Sequence, residues 1–173
     1  MAVCKFSEMK YTRPDVQRVT EAYRQLTARA EKAESGRELA EIFKEHTKLD
    51  DEFSTAARLA QIRHTLDTRD EFYDAENDFF DQEGPGVGNA QLALYRALLA
   101  SPHKEGLAAE YGEILLQKME VAAASASEEV LELMQQENAL ASRYQKLYAG
   151  GQVQFDGKSL TLPEMGPYKQ SLD

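Results

Sequence analysis

Cysteine is almost missing from this chain: Cys4 is the one thiol in 173 residues. No intramolecular disulfide can form, and the usage fits a reducing, cytoplasmic setting. Long apolar runs are missing too. Stretches such as Ala97-Leu98-Leu99-Ala100 fall far short of the roughly 20 residues of a membrane span. Lys5, Glu8 and Lys10 interrupt the amino terminus before a signal-type apolar core can form. Positive charge is in short supply, with 20 Lys and Arg against 30 Asp and Glu for a net charge of −10. Such a surface repels phosphate backbones and anionic headgroups, which argues against nucleic acid or a membrane as partner. Glycine and proline number only 10 and 5, outside the collagenous and low-complexity ranges. What is abundant is the mixture of 42% hydrophobic and 29% charged residues that marks a globular, helix-leaning chain. Residues 1–173 read as one helical region without a solenoid repeat.

Apolar spacing predicts the elements. Thr12-Arg13-Pro14-Asp15 offers a capping hydroxyl, a first-turn proline and an acid near the positive helix end. Val16, Val19, Tyr23, Leu26, Ala30 and Ala33 then recur by threes and fours, one buried stripe of a first helix. Ser35-Gly36 is expected to end it, with Gly36 supplying a left-handed terminus. A second stripe through Leu39, Phe43, His46, Leu49, Phe53, Ala56 and Ala60 predicts a long helix returning antiparallel to the first. A third helix runs from about Asp70 to Ala100, with a break or kink expected at Gly84-Pro85-Gly86 and a boundary at Ser101-Pro102. Shorter helices follow Lys104 and carry Ile114, Leu115, Met119 and Ala122. Ser127-Glu128-Glu129 opens a last long helix with Val130, Leu133, Met134, Leu140, Tyr144 and Leu147 as its stripe, stopped by Gly150-Gly151. Over about 152–162 the period changes to alternation around Asp156-Gly157, a hairpin signal. The expected fold class is all-α: an antiparallel bundle of long helices with one small β-hairpin near the carboxyl end.

Chemistry is harder to find. Thr47, Thr65 and Lys104 follow the three histidines, so none opens a His-Glu-x-x-His zinc motif. Phe43, Gln61 and Ala100 stand three before them, so the Glu-x-x-His pairs of a di-iron bundle are absent as well. Cys4 has no histidine beside it and reads as an incidental thiol. Gly84-Pro85-Gly86-Val87-Gly88 follows an acidic helix rather than a strand, the wrong context for a phosphate loop. The densest polar cluster spans Arg63 to Asp78. If one helix carried Asp67, Asp70, Asp74, Asp78 and Asp81, they would share a face. That face either recruits cations or is solvated and paired with Arg63 and Arg69. His46 sits in an apolar stripe, as a satisfied, semi-buried histidine would. His64 lies within the polar cluster and is either structural or turned toward a substrate or partner.

This cluster also carries a resemblance. Glu52-Phe53-Ser54-Thr55 and the run Ile62-Arg63-His64-Thr65-Leu66-Asp67-Thr68-Arg69-Asp70-Glu71-Phe72-Tyr73-Asp74-Ala75-Glu76-Asn77-Asp78 resemble the amino-terminal region of the oligoendopeptidase F family of zinc metallopeptidases. Phe6-Ser7-Glu8-Met9-Lys10-Tyr11, Gln135-Gln136-Glu137-Asn138, Gln154-Phe155-Asp156-Gly157-Lys158 and Gly166-Pro167-Tyr168 follow the same order, so the likeness covers nearly the whole chain. It implies a helical, cleft-bearing enzyme that cleaves short peptides with zinc held by a downstream His-Glu-x-x-His. No zinc ligand or catalytic residue has a matching position here, so the chain is expected to stop before the catalytic half, to hold no zinc and to be inactive alone. The family's amino-terminal helices form one wall of a deep cleft, which implies a part in restricting substrate size. On that reading Arg63, His64, Asp67, Arg69 and Tyr73 are the substrate-facing candidates, and short peptides and the missing catalytic half are the partners. The other reading is a stand-alone acidic helical bundle serving as an interaction or regulatory module.

Overall fold

Asp15, not Thr12, starts the first helix, because its carboxylate accepts the Arg18 amide at 3.0 Å and satisfies one of the free N–H groups of the first turn. The computed structural model describes residues 5–125 and 128–170, with the side chains of Glu128, Glu129 and Leu131 left aside. Cys4, Ser127 and the final Ser171-Leu172-Asp173 therefore lie outside the described residues. Among the described residues there are seven α-helices and one hairpin. They are α1 (Val16–Ala30), α2 (Gly36–Leu66), α3 (Glu71–Ala100), α4 (Lys104–Tyr111), α5 (Glu113–Ser125) and α6 (Glu128–Gly150). Strands β1 (Gln152–Phe155) and β2 (Lys158–Thr161) and the short α7 (Gly166–Lys169) follow.

Helix α3 is the spine, packed by α1, α2, α5 and α6. It runs through Pro85 without the expected break, and Pro85 itself is buried. Proline removes one ladder donor, but neighbours packed along the helix supply most of a protein helix's stability, and they keep it continuous through the defect. The core joins Tyr23 and Leu26 of α1, Leu39 and Phe43 of α2, Val87, Leu94 and Leu98 of α3, Leu107 of α4 and Met119 of α5. His46 is buried among them, its ring near Tyr23, Phe43 and Tyr95, with Nε2 3.2 Å from the Tyr95 hydroxyl. Phe53, expected at the centre of the α2 stripe, is only half-buried and meets Phe80 edge to face at 5.5 Å.

Gly36 opens α2 rather than closing α1, and Ser35 caps it through the Glu38 amide at 3.2 Å. Its lack of a side chain serves another end. A Cβ built on Gly36 would stand 2.5 Å from the Gly106 Cα, and one on Gly106 2.4 Å from the Gly36 Cα. The two glycines let the backbones of α2 and α4 touch. The hairpin forms as its sequence predicts: Gln152 pairs with Thr161 and Phe155 with Lys158. Both turn residues have positive φ, 50° at Asp156 and 70° at Gly157, matching the twist of the strands.

The stripe predicted for α6 does not enter the core. Leu133, Leu140, Tyr144 and Leu147 are 62%, 65%, 67% and 68% exposed, while Gln135, Asn138, Ser142 and Lys146 are turned inward. At 3.6 residues per turn these rows lie on opposite sides of the helix.

Candidate functional site

The site candidates gather where α2 turns into α3. Asp67 ends α2 and Asp70 caps α3, accepting the Phe72 and Tyr73 amides at 3.0 and 3.2 Å. Asp67 therefore does not share a helix face with the aspartates that follow. Its carboxylate takes the Arg69 amide at 3.1 Å and Nε at 3.3 Å. These hydrogen bonds hold it below the usual carboxylate range. Arg69 itself is exposed at the tip, flanked by exposed Leu66 and Phe72.

Arg63 does not pair with Asp67. Its guanidinium donates to the Tyr73 hydroxyl at 2.5 Å and to the Met9 carbonyl, and stacks over the rings of Tyr73 at 5.3 Å and Phe6 at 5.7 Å. It clamps the amino-terminal segment onto the α2–α3 turn. A second clamp, which no local pattern announces, lies beside it. Arg13 Nε sits 2.9 and 3.1 Å from the two oxygens of buried Glu76, whose carboxylate also accepts from the Tyr11 hydroxyl. Arg13 also lies over the Phe79 ring at 4.6 Å. The Arg13 hydrogen bonds hold Glu76 below its ordinary range against the cost of burial, and burial first, then Glu76, pushes the Tyr11 phenol up. Arg13 and Glu76 stand 63 positions apart, so only the fold reveals the pair.

His64 is buried, its side chain 1% exposed, with Nδ1 3.5 Å from Asp74 Oδ1. Its ring has almost no surface open to solvent. Asp74 in turn meets Lys146 of α6 at 2.6 Å, and Lys146 lies 3.4 Å from Asp78. Hydrogen bonding to Asp74 is the leading cause that raises the Lys146 ammonium. Asp81 accepts from Asn77 at 3.1 Å and from the Ser142 hydroxyl. The aspartates at 74, 78 and 81 thus meet the polar row of α6, neither ringing a cation nor pairing with Arg63 and Arg69. Between α3, α5 and α6 a cavity of about 420 Å³ opens, lined by Phe80, Pro85, Leu92, Ala122, Met134 and Asn138. No group of three or more His, Cys, Asp or Glu that fits a metal occurs among the described residues, so the residues present do not suit a family zinc. Among the described residues no helix is long and apolar enough to cross a membrane.

The profile of the peptidase M3 N-terminal domain matches residues 6–126. The chain belongs to that family. Among solved structures, Pz peptidase A with a bound inhibitor is 38% identical and superposes with a TM-score of 0.93 over 98% of this chain. An oligoendopeptidase F structure is 36% identical, with a TM-score of 0.93 over 99% of the chain. Oligoendopeptidase F from Bacillus anthracis is 32% identical, with a TM-score of 0.91 over 96%. This M3 N-terminal domain chain spans about 30% of the length of the solved structures it matches. Among curated protein sequences none matches it.

Proposed function

We propose that residues 1–173 act as one helical unit that forms a non-catalytic wall of the substrate cleft in a cytoplasmic, zinc-dependent oligoendopeptidase, limiting the peptides that enter to short ones. The superposition of nearly the whole chain on about 30% of Pz peptidase A at a TM-score of 0.93 carries this reading. Hydrolysis then belongs to a part of the protein beyond these residues, where a His-Glu-x-x-His would hold the zinc. In this wall, Arg69 and Asp67 present charge at an exposed turn, and a guanidinium there suits a peptide carboxylate or carbonyl. Arg63 and Tyr73 position the turn, and His64 supports it from beneath.

The test uses a chimera in which this chain replaces the matching region of Pz peptidase A, assayed on quenched fluorescent peptides of graded length. Arg69→Ala is expected to lower kcat/KM for short peptides about fivefold or more, mainly through KM, with zinc content and Tm unchanged. Arg63→Ala is expected to lower kcat/KM and Tm together, because it releases Phe6 and Met9. Wild-type kcat/KM in both variants overturns the cleft role of this turn.

A further inference from the structure

We infer that the outward face of α6 is the docking surface for the polypeptide that makes up the rest of the peptidase, an inference that rests on the reading above. The helix is inside out. Its inward row is polar: Gln135 donates to the Gln82 carbonyl at 2.8 Å, Ser142 is buried against Asn77 at 3.1 Å, and Lys146 binds Asp74 at 2.6 Å. Its outward row is Leu133, Leu140, Tyr144 and Leu147. An amphipathic surface helix normally does the reverse. From Leu133 to Leu147 the row runs about 21 Å, at 1.5 Å per residue. A helix with its polar partners on one side and Leu133, Leu140, Tyr144 and Leu147 on the other is built for the interior of a larger body.

The occupant follows from length. The relatives that superpose on this chain carry more than two thirds of their own residues outside the superposed part. A second copy of this chain is the competing occupant. It would bring an identical acidic surface on a chain of net charge −10, and like charge opposes such pairing.

Thiol protection tests the proposal. Leu140→Cys and Leu147→Cys, each with Cys4→Ser, are made in the 173-residue chain and in the Pz peptidase A chimera, with Arg24→Cys on α1 as an exposed reference. In the chain alone all three thiols are expected to react with a maleimide at similar rates. In the chimera the two α6 thiols are expected to slow about tenfold or more relative to Arg24→Cys, since reactivity follows exposure. Unchanged rates in a chimera with native circular dichroism overturn the inference. Sedimentation equilibrium of the chain alone gives an answer that needs no chimera. A monomer whose binding of a hydrophobic dye is lost in Leu140→Lys/Leu147→Lys supports the open docking face. A dimer dispersed by the same substitutions assigns the face to a second copy and overturns it. Neither readout involves peptide cleavage, so failure of the cleft reading and failure of this one give different results.

Discussion

Replacing Gly36 by alanine tests the closest contact in the fold. The added methyl would stand 2.5 Å from the Gly106 Cα, where ordinary contact begins at 3.4 Å. The obstacle is backbone on both helices, so no side chain can swing aside, and α4 must retreat by about 1 Å. That retreat loosens the fully buried Leu107 within the core it shares with Leu39 and Ala40 of α2. Overpacking costs about 1–3 kcal/mol, and a rigid obstacle puts this case near 3. Alanine's better helix propensity returns at most about 1 kcal/mol, less at the first residue of a helix. The net loss is about 2–3 kcal/mol, a Tm drop of roughly 4–12 °C for a chain of this size. Gly88→Ala provides the contrast, since a Cβ there meets nothing within 4 Å and the site is interior to α3. It is expected to stabilise by about 0.5–1 kcal/mol. Urea unfolding monitored at 222 nm measures both. Equal effects of the two substitutions, or a Gly36→Ala loss under about 0.5 kcal/mol, would refute the close-crossing argument.

Further outcomes follow from the buried polar centres and the core edge. Glu76→Gln should cost about 1–3 kcal/mol at pH 7, because Arg13 and Tyr11 lose a charged acceptor. Glu76 is held below its ordinary value, so the wild-type advantage should be whole above about pH 4.3 and shrink as pH falls below it; a difference constant down to pH 3 contradicts this. Burial lowers the His46 pKa, so its neutral form favours folding. Stability should fall as pH drops below about 6.5, and His46→Phe should flatten that part of the curve in paired thermal melts. Phe53→Ala should cost about 1–2 kcal/mol rather than the 3–5 of a fully buried ring, since Phe53 keeps only part of its surface covered. A loss above about 3 kcal/mol by urea titration would show it sealed in the core.

The periodicity of α1, α2 and α3, the boundary at Ser101-Pro102 and the Asp156-Gly157 turn were all legible from residue spacing, because each depends on neighbours within a few positions. The cluster from Arg63 to Asp78 was legible for the same reason. Arg63 and Tyr73 do meet, ten positions apart. Their partners were not legible: Met9, Glu76 with Arg13, and Lys146 with Asp74 come from distant segments, and no local spacing announces them. The glycine at 36 shows the same limit. A helix-ending glycine and a helix-crossing glycine look alike until the second backbone arrives.

Sequence alone settled that this chain is a helical bundle with a terminal hairpin, that its three histidines begin no zinc motif, and that Leu133, Leu140 and Leu147 share a stripe of α6 with Tyr144. These are properties of composition and of period, which each segment carries by itself. Only the tertiary structure decided which way that stripe points. Hydrogen bonds and an ion pair from Asp74, Asn77, Asp81 and Gln82 draw the polar row of α6 inward. The leucines are left facing out because a helix has one face to give to each neighbour. Period tells that a face is apolar, and packing against α3 tells which way that face points.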